Sequence, residues 1–406
     1  MVCTAAQEGP ADKDEIVLYA VFPTQGDMSA SGLASEIVLK QSAEDMNSFY
    51  QDIGSDRVVK LNITEISLDP QSALTAVKQL HECGVHMILG LFSSAQLEEI
   101  KPYADENGVL ILASGSSATS LSIPDDNIFR FHADDSSQVI ALNTLLKMEN
   151  ISVVVPLVLE DRWINFQNLT ILGKPMNTTG PDDVVRYGPQ SQGYEEIVAR
   201  LDQLTGSVLT HEDKDSVCIL AYTFDDIIPI MEEASNEKYQ NLSQVRWIGT
   251  NANMLNPDLI KSPKAATFGA ERKYSGFVIS HRPVGMESVI DTIIQKVGYE
   301  PNGYVYAVYD MGKIGSEIEF LHGSDSIESL KTAIVGFTEN DAGILGQGTL
   351  NEAGDRIVSI YDFWGLEKNT TNDVAWKKIG SALKYGSQDK VDVALGNASS
   401  SWKPAN

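Results

Sequence analysis

This chain lacks long apolar runs. Nowhere do about eighteen apolar residues follow one another, the least a membrane-spanning helix needs, although 43% of its 406 residues are hydrophobic. Basic residues are scarce as well: 30 Lys and Arg stand against 56 Asp and Glu, a net charge of −26. Phosphate backbones and anionic lipids are held by clustered Lys and Arg, so no nucleic-acid or lipid-surface partner is expected. A surface this acidic favours solubility and suits a salty exterior. The six histidines are scattered, and His81 and His86 lack metal-ligand spacing. There is no G-x-S-x-G, H-E-x-x-H or C-x-x-C, and the glycine-rich "GILGQG" (343–348) has no strand–loop–helix context for a phosphate loop. No metal, cofactor or catalytic group is therefore expected.

Cysteine is nearly absent: Cys3, Cys83 and Cys218 are all there are. Three cannot make a disulfide framework, and Cys83, at a helix end, and Cys218, in a distant strand, are expected to be buried free thiols. Cys3 lies in "MVCTAAQEGPADKDE". It reads either as a lipid-anchor cysteine left by removal of a signal segment or as a thiol in a disordered tail. Glycosylation sequons begin at Asn62, Asn150, Asn168, Asn177, Asn241, Asn369 and Asn397. They are more numerous than the roughly three expected by chance from the motif, which favours an exported protein.

What is present is a repeated alternation. "EIVLYAVF", "VVKLNITEI", "VHMILGL" and "VLILA" are apolar runs of strand length. Between them lie helical patterns, one with Leu39, Ala43, Met46 and Tyr50 on one face, and another that opens at Pro70 and closes at Gly84. After "NIFRF" and the polar junction "HADDSSQ" the alternation restarts with "ISVVVPLVL", "SVCILAY" and "VRWIG", and it ends in late helices and a hairpin around "NEAGD". Strands alternating with helices imply βαβ units and parallel sheets. The fold class is therefore α/β, with two Rossmann-like lobes. The expected division is a tail 1–13, a first lobe 14–134 and 277–353, a second lobe 135–276 and 354–370, and a C-terminal extension 371–406, with three hinge crossings.

Ligands of open parallel sheets sit beyond the carboxyl ends of the strands. Two serine-rich stretches fall there, "FSSAQ" after the third strand and "ASGSSATS" (113–120) after the fourth. Ser93 and Gln96 have capping-box spacing, so Ser93 caps a helix whose N-terminus faces the same edge. Small hydroxyls beside a helix N-terminus make a carboxylate cradle, which puts forward Ser94, Ser116 and Ser117. Ordinary turn and capping chemistry accounts for the same serines. Asp135 reads equally as a helix cap. In the second lobe Trp163, directly after a strand, and Tyr222, at the end of another, are candidates.

Taken in order, these segments resemble the type I periplasmic (venus-flytrap) substrate-binding proteins, in particular the branched-chain amino-acid branch serving ABC importers. The likeness is carried by "VFPTQGDMSASG", "ILGLFSSAQLEEIKPYADENGVLILASGSSATSLSIPDDNIFR", "DDSSQ", "EDRWI", "YAVYDMG" and "GTLNEAGDRIVSIYDFW". It runs from about residue 15 to about residue 366. The resemblance implies that Ser94 donates to a ligand carboxylate, that Gly115 offers its carbonyl to an ammonium, and that Ser117 contacts both ends. It makes Asp135 the acidic group at the first crossing and Trp163 an aromatic wall. Two positions depart from the pattern: Asn251 stands where such binders often carry a Glu, and Ser31 where they often carry an aromatic.

The function implied is an extracellular, monomeric solute-binding protein without catalysis. It would capture a small polar, amino-acid-like or amide ligand between two lobes and deliver it to the membrane permease of an ABC importer. The alternatives are a sensor handing its closed form to a signalling receptor, or an extracellular hydrolase on the same scaffold.

Overall fold

In the computed structural model the chain forms two compact units, Met1–Asp135 with His281–Ser359, and Ser136–Ser280 with Ile360–Asn406. The structure describes residues 15–160, 170–171, 174–175, 184–188, 193–280, 285–323, 325–340, 342–357, 359–370, 372–384 and 391–395. Among these, no helix is long and apolar enough to cross a membrane.

The first unit opens with β1 (Glu15–Gln25), α1 (Ser29–Asp52), β2 (Val58–Ser67), α2 (Pro70–Glu82), β3 (Met87–Gly90), α3 (Ser94–Asn107), β4 (Leu110–Ala113) and β5 (Ile128–Arg130). The five strands make one parallel sheet in the order β2-β1-β3-β4-β5. Every residue of β3 and β4 is buried, which is why the sequence writes them as unbroken apolar runs. α1 buries Leu39, Ala43, Met46 and Tyr50, and α2 buries Ala73, Val77 and Leu80. Asp69 caps α2 by accepting from Ser72 N, Pro70 takes the first turn, and Gly84 leaves the helix end at φ +86.

The second unit follows with α4 (Asp135–Met148), β6 (Val153–Leu159), β7 (Thr170–Ile171), β8 (Lys174–Pro175), β9 (Val185–Tyr187), α5 (Glu195–Leu209), β10 (Val217–Tyr222), α6 (Ile227–Ala234), β11 (Arg246–Gly249), α7 (Pro257–Lys261), α8 (Pro263–Glu271) and β12 (Ser275–Ile279). The chain returns to the first unit for α9 (Glu287–Val297), α10 (Gly303–His322), α11 (Ile327–Asn340), β13 (Ala342–Gly343) and β14 (Gly346–Gln347). It ends with β15 (Ser359–Lys368), β16 (Val374–Lys384) and β17 (Val391–Leu395). The second sheet has the order β17-β16-β15-β12-β11-β10-β6-β9. Its strands from β12 to β9 are parallel, and β15 runs antiparallel to β12.

The chain changes unit after Asp135, Ser280 and Ser359. The last two changes come later than the sequence pattern suggests. β12 stays in the second sheet as far as Ile279. Residues 354–356 ladder onto β5: Arg130 N donates to Gly354 O at 2.8 Å and Arg356 N to Arg130 O at 3.2 Å. Residues 371–406 hold β16 and β17, which widen the second sheet, where the sequence suggests a separate extension. The expected tail, 1–13, lies outside the described residues.

The two later cysteines differ. Cys218 is a free thiol, fully buried in β10, and burial pushes its thiol far up. Cys83, expected as a second free thiol, is disulfide-bonded. It is the half-buried C-cap of α2, so its sulfur has the access that Cys218 lacks. Cys3 lies outside the described residues.

Candidate functional site

β3 and β4 are neighbours in register, with Gly90 opposite Ala113, and Ser114 N donates to Gly90 O at 3.0 Å. The two serine stretches therefore leave the same carboxyl edge side by side. Ser93 caps α3 with the full capping box: Gln96 N donates to Ser93 Oγ at 3.3 Å, and Ser93 N to Gln96 Oε1 at 2.9 Å. This fixes Ser94 as the first residue of α3. Ser94 Oγ and Ser116 Oγ lie 2.9 Å apart. Ser114, Ser116, Ser117 and Ala118 are each at most 1% exposed, so "ASGSSATS" is interior structure for most of its length and not a flexible joint.

Glycine is required at 115. A Cβ there would stand 2.7 Å from Phe92 O and 3.1 Å from Leu91 Cδ1, so a side chain would push the two loops apart. The loop is pinned at its far end by Arg130, whose Nη1 donates to Ala118 O at 2.7 Å. The same guanidinium grips Asp355 in a fork, Nε to Oδ1 at 2.5 Å and Nη2 to Oδ2 at 2.7 Å, with both side chains buried. Ser122 Oγ adds a hydrogen bond to Asp355 Oδ2 at 2.6 Å. A planar, bidentate pair with its remaining donor satisfied is the geometry in which a buried ion pair holds position.

Ser117 is tied to the first unit change. Asp135 N donates to Ser117 O at 2.7 Å, and the Ser117 hydroxyl donates to the Asp135 carboxylate. Loss of water around this half-buried carboxyl pushes it up to about 7, and Asp134 adds repulsion; the Ser117 hydroxyl and the Arg130 charge pull the other way. Three residues earlier, His132 is buried and stacks on Tyr304 at 4.4 Å. Its Nδ1 donates to Ala133 O at 2.6 Å, which leaves Nε2 as the lone pair of a neutral ring. Burial lowers it to about 3, helped by the Arg130 and Arg356 charges.

The structure thus joins Ser94 to Ser116 and Ser117 to Asp135, with Gly115 directly before the two linked serines of its loop. In the second unit Tyr222 ends β10 and Asn251 follows β11, both buried at the carboxyl edge of adjacent parallel strands. Trp163 lies outside the described residues. Sequence reasoning missed Asn253, the centre of this second edge. Its Oδ1 accepts from Thr250 N at 3.1 Å and from Tyr274 OH at 2.8 Å. Its Nδ2 donates to Ala221 O at 3.0 Å and Thr223 Oγ1 at 2.9 Å. Gly249 makes room for it, since a Cβ there would meet Asn253 Oδ1 at 2.3 Å. A glycine closing a strand just before two asparagines was the available signal. Arg130 was missed too, because its partner is 225 residues away. Among the described residues no cluster of three His, Cys, Asp or Glu side chains is placed to hold a metal.

Compared with known proteins, residues 19–154 match the family model described as periplasmic binding protein. The chain is 22% identical over 404 residues to an uncharacterized protein of Methanocaldococcus jannaschii, covering 92% of this chain and 94% of that one. Among solved structures it resembles the leucine binding protein LivK of Thermotoga maritima, with TM-score 0.68, 17% identity, and 89% and 97% of the two chains covered. It also resembles an ABC transporter solute binding protein of R. palustris in complex with 4-hydroxybenzoate, with TM-score 0.70, 15% identity, and 93% and 98% covered. A third likeness is LivJ of Streptococcus pneumoniae in complex with isoleucine, with TM-score 0.67, 13% identity, and 90% and 99% covered.

Proposed function

We propose that this chain, which has the fold of the solute-binding proteins it resembles, is an extracellular solute-binding protein that passes a small polar solute to the permease of an ABC importer. The observation that supports this most is the buried hydroxyl rim of the first unit. Ser94, at the start of α3, is 2.9 Å from Ser116, and Ser117 is held through Asp135. Hydroxyls at a helix N-terminus suit a carboxylate, since the helix dipole and the small side chains both favour an anion there. Gly115 lets the two loops approach closely enough for one ligand group to meet both. The solute is then an amino-acid-like or amide compound with its acidic end on this rim. The protein binds without turnover.

A second reading concerns the other end of the solute. Asn251 is uncharged where amino-acid binders of this family often carry a Glu, which favours an acid without an ammonium group. The relatives bound to isoleucine and to 4-hydroxybenzoate represent the two chemistries. Mass spectrometry of solute released by denaturing the purified protein, followed by calorimetry with isoleucine, leucine and 4-hydroxybenzoate, distinguishes them. Ser94→Ala and Ser117→Ala should each weaken binding of the acid that binds by roughly tenfold to a hundredfold, the loss of one hydrogen bond to a charged group. Parent-like affinity in both variants would overturn the site.

A further inference from the structure

We propose that Asp135 is a proton-holding positioning residue of the serine rim: it takes up a proton when the solute carboxylate docks, and in its neutral form it turns the Ser117 hydroxyl toward that carboxylate. The inference rests on the carboxylate reading given above and adds the residue that lets the rim accept an anion. Every group it uses lies in the first unit.

The hydrogens of the rim can be accounted for one by one. A serine hydroxyl has a single hydrogen to give. The Ser94 and Ser116 hydroxyls are 2.9 Å apart, so one of their two hydrogens lies between them and the other is left for a solute. The hydrogen of Ser117 is already committed, since its hydroxyl donates to the Asp135 carboxylate. The main chain holds this pair together: Ser117 is fully buried, and Asp135 N donates to Ser117 O at 2.7 Å. Ser117 Oγ therefore offers a solute only lone pairs, which repel a carboxylate. A proton on Asp135 reverses the chain of donors. The Asp135 carboxyl then donates to Ser117 Oγ, and the Ser117 hydroxyl donates outward.

Charge leads to the same state. The charged groups that act on Asp135 are Arg130, from β5, and Asp134, its neighbour. The donors of Arg130 are spent on Asp355 and Ala118 O, and Asp134 adds repulsion. His132 is a neutral ring, and Arg356 lies 3.7 Å from the Asp310 carboxylate. An ionised solute carboxylate beside an ionised Asp135 would set two like charges together without a spare cation, and one of such a pair takes up a proton. Asp135 is the one that does so. Loss of water already raises it to about 7, whereas an ordinary carboxylic acid titrates near pH ~4. The proton comes from the buffer, and no other bond changes. A solute ammonium seated on Asp135 would act in the opposite sense, since it needs the carboxylate ionised.

The test uses the full chain and whichever of isoleucine, leucine and 4-hydroxybenzoate binds most tightly at pH 6. Calorimetric affinity should be flat below pH 7 and fall about tenfold per pH unit above it, as mass action on one proton requires. At pH 8, heats compared in phosphate and Tris buffers should show about one proton taken up per solute bound. Asp135→Asn keeps an uncharged donor toward Ser117 but has no proton to gain. Its affinity should vary less than about twofold from pH 6 to 8.5, and its proton uptake should vanish. Glu319, held near the same value by burial, is present in both proteins, so the difference between them belongs to Asp135. Parent affinity that is level across this range, or that rises with pH, would overturn the proposal while leaving the carboxylate reading in place. Proton uptake that persists in Asp135→Asn would overturn it too. If none of the three acids binds at pH 6, the carboxylate reading itself falls, and the proposal with it.

Discussion

The two units present their carboxyl edges in different ways. In the first, the loop after β4 is held by charge: Arg130 forks onto Asp355 and reaches Ala118 O, and Asp135 takes the Ser117 hydroxyl. In the second, the loop after β11 is held by a neutral amide, Asn253, between Thr250, Tyr274, Ala221 and Thr223. A charged clamp is costly to assemble and costly to break in half, whereas an amide hub loses its bonds one by one. The first edge should therefore fail abruptly and the second by degrees.

The sharpest way to break this comparison is Arg130→Met. It leaves Asp355 buried without its partner and should cost about 3–5 kcal/mol, read from urea unfolding. The double variant Arg130→Met with Asp355→Leu should recover most of that loss, since an apolar pair leaves no stranded charge. A double variant no more stable than the single one would show that the pair does not act as a unit. The corresponding change in the second unit, Asn253→Ala, strands the Tyr274 hydroxyl and the Thr250 N–H and should cost about 2–3 kcal/mol. If Asn253→Ala proves the more damaging, the contrast between the edges is wrong.

The smallest effect is a pH dependence belonging to the first edge. Asp135 is raised to about 7 from 3.8, so the fold keeps a proton that the unfolded chain has released. That contribution is complete below pH 3.8 and disappears as pH rises through 7. Glu319, raised to about 7 from 4.5 by burial, acts in the same sense. His132, lowered to about 3 from 6.5, acts in the opposite one: its contribution is complete above 6.5 and is lost as pH falls through 3. Because these slopes overlap, the useful quantity is the difference in melting temperature between the parent and Asp135→Asn. It should favour the parent more at pH 5 than at pH 8. A difference that stays constant across that range would show that Asp135 does not hold its proton in the fold.

Local and periodic features were legible in the sequence. The unbroken apolar runs mark β3 and β4 because both are buried at every position. The capping box at Ser93 and Gln96, and the ends of α2 at Pro70 and Gly84, follow from backbone groups that only nearby residues can satisfy. Features that depend on distant chain were not legible. Arg130 reads as the tail of a strand until Asp355 arrives beside it. Cys83 reads as a core thiol because helical spacing says nothing about a second sulfur. The hydroxyls of "ASGSSATS" are interchangeable on paper, and only the folded loop shows that Ser116 is the one that meets Ser94.

The clamp on Ala118 also bears on the order in which the molecule is completed. Arg130 and Asp355 are 225 positions apart, and the larger part of the second unit, Ser136–Ser280, is threaded between them. While the chain is being made from its N-terminus, the strands of the first sheet can assemble early, since β1 to β5 lie within residues 15–130. The serine loop cannot then be locked, because the carboxylate that locks it has not yet emerged. The first sheet is thus among the earliest parts to form, and the loop on its rim among the last to be set. A nascent chain holding all of β1 to β5 would carry every serine of the rim and still lack the rim itself.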